Sequence, residues 1–223
     1  MAEKNYTIPI NEIFEVSGGC PICRMTQTLE QRYIENITGA AMMEPDIRIR
    51  TNQTGFCTHH FEKMSETRQT LSVALIMESH LKYISEKLLQ KKTKRGKPSE
   101  LKQMINSCYV CEKIQHSLDI MIDTMCKMWI KDEGFRSMYT SQEYICLDHF
   151  DKINTTANSV MKKTELKKFD AETLSLTQNY LMTLHNDVEH FCRMYDYRNA
   201  SQNADWGNSK GSVERAIHFI EKK

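Results

Sequence analysis

Two cysteine motifs occur twice in this chain, in the same order and at nearly the same spacing. Cys20 and Cys23 form a CxxC motif, and a CxxHF motif at 57–61 follows it. The pair recurs as a CxxC motif at 108–111 and a CxxHF motif at 146–150. The intervening stretches hold 33 and 34 residues. Self-similarity of this kind indicates an internal repeat, with one similar structural unit in each half.

The residue types in these motifs predict metal binding. Zn²⁺ prefers four tetrahedral ligands drawn from Cys and His. A CxxH motif at the start of a helix places both ligands on one face, because positions i and i+3 are neighbours there. Three thiolates and one imidazole complete the coordination, which is typical of structural zinc. We therefore expect two Zn²⁺ ions per chain, with these ligands: Cys20, Cys23, Cys57, His60, Cys108, Cys111, Cys146 and His149.

Other interpretations of the motifs are open. A redox-active CxxC motif of the thioredoxin type needs a βαβ setting, of which the chain shows no pattern. An iron–sulfur centre usually takes four cysteines. His59 competes with His60 as a ligand, but the repeat aligns His60-Phe61 with His149-Phe150. His59 then corresponds to Asp148, an outer-shell or solvent position.

Ligands can pair within a half or between halves. Within a half, Cys20 and Cys23 would share an ion with the CxxH motif at 57–60, and the 108–111 motif with the one at 146–149. A swapped arrangement would join the first CxxC to the second CxxH. We expect pairing within each half, because closing a shorter loop costs less entropy.

The rest of the pattern predicts a mostly helical, all-α fold. Only 4 Pro and 8 Gly occur in 223 residues, too few for the turns of an all-β protein. Apolar residues recur every three or four positions after each motif. We expect a single domain, 1–223, in which a pseudo-twofold repeat comprises two CxxC-helix-loop-CxxHF-long helix units. Its parts are the units 17–90 and 104–195, a basic linker 91–99, and a docking tail with a short helix, 196–223.

Other segments lack a clear motif, and their predictions rest on local sequence features. Residues 1–16 suggest a short entry segment, and 43–54 an irregular stretch with a short extended piece. The second long helical region should break near 162–170. Trp206 should be buried and dock the tail, while Asn208 or Ser209 caps the final helix. Cys126 and Cys192 are expected to be buried as small hydrophobic residues.

Composition limits the compartment and the partners. The formal net charge is only +1, which does not by itself imply a nucleic-acid partner. No stretch has the character of a signal peptide or the ~20 apolar residues of a membrane span. We expect a cytoplasmic protein without a membrane partner, because a reducing compartment keeps thiols available for metal.

Two functional hypotheses follow, and a nucleic-acid role is a third, less favoured one. The favoured hypothesis is a zinc-stabilised protein-interaction or regulatory module, because closed metal sites are usually structural and no catalytic motif is apparent. The alternative is an enzyme with a polar pocket near Glu44, Asp46, Arg48 and the tail from Asp196 to Lys210, where the zinc is structural. Their meeting in one concave pocket would favour the enzyme.

The motif order resembles a bacterial family of unknown function, some of whose members carry an automatic label as ABC transporter substrate-binding proteins. The resemblance covers nearly the whole chain and rests on CPIC, MEPD, GFCxxHF, CYVC, CxxHF, DYRN and WGNSK. It implies no activity. The matching positions are Cys20, Cys23, Glu44, Asp46, Arg48, Cys57, His60, Cys108, Cys111, Cys146, His149, Asp196, Arg198, Trp206, Asn208 and Lys210.

Overall fold

A computed structural model describes residues 6–89, 100–195 and 205–221. The described residues form helices and no strand, which confirms the all-α prediction. The expected linker at 91–99 lies outside the described residues. The helices are α1 (Thr7–Glu15), α2 (Pro21–Thr38), α3 (Pro45–Thr54), α4 (Thr58–Glu66), α5 (Thr70–Tyr83), α6 (Glu100–Ile105), α7 (Tyr109–Lys131), α8 (Glu133–Thr140), α9 (Leu147–Val160), α10 (Lys163–Met194) and α11 (Ser212–Ile220). Short 3-10 turns occupy Ala40–Met43 and Gly207–Ser209, and a π-helical turn occupies Ile84–Leu88.

One local prediction was wrong, the one for 43–54. That stretch was expected to be irregular but contains helix α3, and the entry segment 1–16 contains helix α1. Pro45 begins α3, where its missing N–H would have no intrahelical partner anyway. The second long helical region breaks at Met161 and Lys162, at the start of the predicted range 162–170, and α10 then spans 32 residues.

The chain divides into two compact units that do not follow the two sequence halves. Unit 1 comprises 1–25 and 119–223, and unit 2 comprises 26–118. The boundaries fall inside α2 and α7. Each unit therefore combines one motif from the first half with one from the second. The pseudo-twofold repeat and the single domain remain predictions.

Unit 1 has an aromatic core. Phe14 of α1 meets Phe135 of α8 edge-on at 5.0 Å between ring centroids. Phe169 of α10 lies 5.2 Å from Trp129 and 5.3 Å from Tyr139. Trp129, Phe135, Tyr139 and Phe169 are fully buried. Burial of large rings dominates the energetics of such a core.

In unit 2, α5 contacts α3 and α4, and α6 contacts α3 and the π-helical turn Ile84–Leu88. The buried residues of this unit are mostly aliphatic, including Ile37, Met64 and Ile76. Phe56 joins the loop before α4 to this core, 5.3 Å from Phe61 and 6.5 Å from Tyr109. None of the described helices is long and apolar enough to span a membrane.

Candidate metal centres

Four predicted ligands converge in unit 1, and we call this group site A. Its members are Cys20, Cys23, Cys146 and His149, whose potential ligand atoms all lie within 4.8 Å of one another. His149 Nδ1 is 3.2 Å from Cys146 Sγ, 3.4 Å from Cys23 Sγ and 3.7 Å from Cys20 Sγ. The Sγ atoms of Cys23 and Cys146 are 3.7 Å apart. Site A can therefore hold a metal ion among three sulfurs and one nitrogen.

The other four predicted ligands form an equivalent group in unit 2, which we call site B. Its members are Cys57, His60, Cys108 and Cys111. His60 Nδ1 lies 3.1 Å from Cys57 Sγ, 3.3 Å from Cys108 Sγ and 3.4 Å from Cys111 Sγ. The Sγ atoms of Cys57 and Cys111 are 3.9 Å apart. All eight predicted residues thus belong to one of two groups of four.

The structure contradicts the expected pairing within each half. The first CxxC motif meets the second CxxH motif in site A, and the first CxxH motif meets the second CxxC motif in site B. Loop entropy was the reason for expecting local pairing, but it grows only logarithmically with length. For a separation of 123 residues in site A in place of 34, the extra cost is about 1 kcal/mol. Core packing easily outweighs a difference of this size.

Each site lies at the N-termini of two helices. Cys57 and Cys146 are the N-cap residues of α4 and α9, with nearly identical backbone angles. The carbonyl groups of Cys20 and Cys108 likewise accept from the first turns of α2 and α7. The positive ends of four helices therefore point to sulfur, two in each site, and this favours thiolate.

Site A is the more enclosed of the two sites. Cys20, Cys146 and His149 are at most 2% exposed, whereas Cys111 in site B is exposed. Burial raises the pKa of the Cys20 thiol, and hydrogen bonds with Cys146 and Cys23 raise it further. Burial also raises the pKa of Cys111, and the charge of Cys108 adds to this. Thiolates in these groups are unfavourable unless a cation compensates them.

The pKa values of the two site histidines shift in opposite directions. Burial is the largest influence on His149 and lowers its pKa, but contacts with Cys146 and Cys23 outweigh it and bring the pKa to about 9. Burial lowers the pKa of His60. A neutral His60 imidazole matches the requirement of a metal ligand.

Arg24 organises the loop that leads into site A, and sequence reasoning did not single it out. Its guanidinium donates to the carbonyl oxygens of Ile13, Val16, Gly18 and Gly19 and to Gln142 Oε1. The Gly19 N–H donates to Glu143 Oε2 at 2.6 Å. Gly18 and Gly19 have φ of +88° and +71°, which L residues with side chains rarely adopt. The only sequence signal was the Gly-Gly pair before the CxxC motif.

Glu30 is a second residue that the motif pattern did not reveal. Its Oε1 atom lies 2.7 Å from His59 Nε2 and 3.2 Å from His60 Nε2. His60 and not His59 belongs to site B. Glu30 follows Cys23 by seven residues, whereas the matching position in the second half is Leu118. Because the two halves differ at this position, comparison of the repeats did not reveal Glu30.

The residues of the predicted polar pocket have other roles. Arg48 donates to the carbonyl oxygens of Met42 and Leu75 and to Ser79 Oγ, so it ties α5 to α3 within unit 2. Glu44 is the N-cap residue of α3, and Asp46 lies in its first turn. Asp196 and Arg198 lie outside the described residues.

The tail is docked differently from the prediction. Trp206 is only half-buried, against Phe191 at 5.9 Å and Tyr195 at 5.8 Å. Phe219 is fully buried, with Tyr144 and Tyr180 within 5.6 Å. Gly211, rather than Asn208 or Ser209, is the N-cap residue of α11, and Lys210 is exposed.

A polar cavity of about 420 Å³ lies beside α10 and the tail in unit 1. Arg215 lines it but already donates to Asp187 Oδ2 at 2.6 Å and to the Asn208 carbonyl at 2.8 Å. Its lining residues are Glu143, Asn179, Tyr180, Thr183, Asp187, Asn208 and Arg215. Asn208 belongs to the tail predicted to form a pocket, whereas Glu44, Asp46 and Arg48 belong to unit 2.

The two remaining cysteines differ. Cys126 is fully buried, as predicted, and burial raises the pKa of its thiol to about 12. Cys192 is exposed on α10, so the prediction of a buried residue was wrong. Cys192 lies two residues before the end of α10, and the sequence pattern there did not indicate which helix face it occupies.

Comparison with known proteins adds a family but no activity. No curated protein matches the chain, and no solved structure matches it either. The whole of 1–223 matches one family, and the chain belongs to it: the Family of unknown function (DUF6062).

Proposed function

We propose that the protein binds two structural zinc ions, one in each unit, and acts as a protein-interaction or regulatory module. The zinc assignment rests on one observation: two separate groups each bring three cysteine sulfurs and one histidine nitrogen within 4.8 Å of one another. Zinc is the ion that this donor set suits best.

The distances between ligand atoms support zinc. Zn–S bonds of about 2.3 Å and Zn–N bonds of about 2.0–2.1 Å in a tetrahedron place two sulfurs ~3.8 Å apart and a sulfur and a nitrogen ~3.6 Å apart. One sulfur pair in each site matches this value, with Cys23 and Cys146 3.7 Å apart and Cys57 and Cys111 3.9 Å apart, and all ligand atoms of a site lie within 4.8 Å of one another. The sulfur–nitrogen distances run from 3.1 to 3.7 Å. Small adjustments would bring both groups onto an ion.

Four protein ligands leave no position for water or substrate, so the zinc ions serve stability rather than chemistry. Each ion joins segments far apart in sequence, with separations of up to 129 residues in site A. The three cysteine ligands of each site must be reduced and deprotonated, so we place the protein in a reducing compartment, the cytoplasm.

The apolar stripe on α11 supports a protein partner. Val213, Ile217 and Ile220 follow helical spacing and are 38%, 53% and 58% exposed, whereas Phe219 on the same helix is buried. Exposed apolar residues grouped on one helix face are typical of interaction surfaces. A protein surface fits this stripe better than a nucleic acid, because the three side chains of the stripe are apolar and carry no positive charge.

Metal analysis tests the zinc assignment. Protein purified under reducing conditions should contain two equivalents of zinc per chain by elemental analysis and native mass spectrometry. One equivalent or none would contradict the proposal, and two to four equivalents of iron with inorganic sulfide would indicate clusters instead.

Site-specific photo-crosslinking tests the interaction surface. A photoreactive amino acid at Ile217 should form adducts with another protein in the native cells. The same group at exposed His218, which lies on a different face of α11, serves as the matched control. Adducts at neither position, or equally at both, would contradict a specific surface on this stripe. Adducts with the chain itself would identify a homo-oligomer as the occupant.

A further inference from the structure

Site B has a feature outside its four ligands that concerns the second nitrogen of His60. Nδ1 faces the three sulfurs, so Nε2 carries the proton of the neutral ring. His60 is only 3% exposed, and its Nε2 atom is buried without an aligned hydrogen bond among the described residues. A buried polar donor left in this state costs about 1–3 kcal/mol.

The Glu30 carboxylate lies where it can accept a hydrogen bond from His60 Nε2. Its Oε1 atom is 3.2 Å from His60 Nε2, which is within hydrogen-bond distance. The same oxygen is 2.7 Å from His59 Nε2, and the His59 and His60 rings lie 5.1 Å apart. His59 is thus placed to hold the carboxylate against His60.

A metal-bound histidine usually donates its other N–H to a carboxylate or carbonyl, which fixes the tautomer and makes the ring a better ligand. We propose that Glu30 is the positioning residue of site B: it orients His60 through Nε2 and thereby sets the zinc affinity of that site, with His59 holding Glu30 in place. The inference rests on the proposed zinc binding and extends it to one carboxylate.

The arrangement distinguishes the two sites. Within the described residues, no carboxylate forms an ion pair with His149 in site A, where the ring is enclosed with two buried cysteines. Site B contains the exposed Cys111 and a ring that depends on an acidic neighbour. Substitution of Glu30 should therefore affect one ion of the two.

The experiment compares the wild type with Glu30→Ala, Glu30→Gln and the control Glu35→Gln. Glu35 lies on the same helix, α2, and its carboxylate accepts from Gln31 at 2.9 Å. Zinc affinity is measured by competition with a chromophoric chelator, and cysteine alkylation mapped by mass spectrometry assigns each released ion to a site. Cobalt-substituted protein reports the ligand field of each site through its visible spectrum.

Glu30→Ala should weaken zinc binding at site B by about 10–100-fold. Glu30→Gln should weaken zinc binding less, because the amide oxygen of glutamine can still accept a hydrogen bond from His60 Nε2. Cys57, Cys108 and Cys111 should become reactive at lower chelator concentration, while the site A cysteines and the Glu35→Gln protein behave as the wild type. His59→Ala should give a smaller loss than Glu30→Ala, and the cobalt spectrum should change for site B only.

Two results would overturn the inference while leaving the zinc proposal intact. One is unchanged affinity and spectrum at site B in Glu30→Ala. The other is a third metal equivalent in the wild type that disappears in both Glu30→Ala and His59→Ala, which would make Glu30 and His59 ligands of a separate ion. A wild-type protein without zinc in site B would instead contradict the proposed function itself.

Discussion

Replacement of Cys20 and Cys23 by serine tests the pairing of the metal ligands across the two sequence halves. In the structure these residues share site A with Cys146 and His149. The double variant should therefore retain one zinc ion of two, and Cys146 should become open to alkylation. Cys57 should remain protected, although it is the nearest downstream motif cysteine in sequence.

The expected result depends on two free energies, the loop entropy of the pairing and the cost of leaving buried polar groups unsatisfied. Pairing across the halves costs about 1 kcal/mol more loop entropy than local pairing, so only the packing of the native units can enforce it. In the variant, Cys146 and His149 stay buried at 0% and 2% exposure while facing two hydroxyl groups. Each buried polar group left unsatisfied costs about 1–3 kcal/mol, so unit 1 should lose stability and expose Cys146 transiently.

The assay combines native mass spectrometry for metal content with alkylation followed by peptide mapping. Cys192→Ser is the matched control, because Cys192 is exposed and lies outside both sites. This variant should keep both ions and the wild-type pattern at all six site cysteines. Alkylation of Cys57 in the double variant, with Cys146 still protected, would refute the cross-half pairing.

Four further outcomes are expected. Verified removal of both ions should reduce helix content partially in far-ultraviolet circular dichroism, because four helix starts carry the ligands; an unchanged spectrum and melting curve would count against structural zinc. Acidification should release the ions as the thiolates are protonated, with sulfur-to-metal charge-transfer absorption of cobalt-substituted protein as the measure; retention at strongly acidic pH would contradict thiolate ligation. Phe169→Ala should lower the free energy of unfolding by about 3–5 kcal/mol, whereas Leu174→Ala, 42% exposed on the same helix, should change it by about 0.5 kcal/mol; equal losses would be inconsistent with the core described above. Phe219→Ala should destabilise the protein more than Trp206→Ala, and the reverse order in thermal denaturation would restore Trp206 as the main anchor of the tail.

Much of the local structure could be predicted from the sequence. Apolar residues every three or four positions indicated helices such as α7 and α9, because a buried helix face imposes that period. The prediction failed for α3, whose sequence has no apolar stripe and begins with proline. It also failed at Cys192, because a cysteine near the end of a long helix can lie on either face.

The eight candidate ligands were also accessible from sequence, because residue type and spacing are local chemical requirements. Two ligands three residues apart can reach one ion wherever a helix begins, and the duplicated motifs made chance unlikely. The residues that support the sites were not accessible in this way. Arg24 and Glu30 act through contacts with distant segments, and neither belongs to a repeated motif.

What the sequence determined by itself, then, was an all-helical chain with two pairs of cysteine-rich motifs. Only the tertiary structure decided which motif meets which, and it placed the first CxxC beside the second CxxH and the first CxxH beside the second CxxC. The physical reason is that local pairing has an advantage of only about 1 kcal/mol in loop entropy. The burial of whole helix faces in each unit involves far larger free energies, and these depend on contacts that no single motif contains.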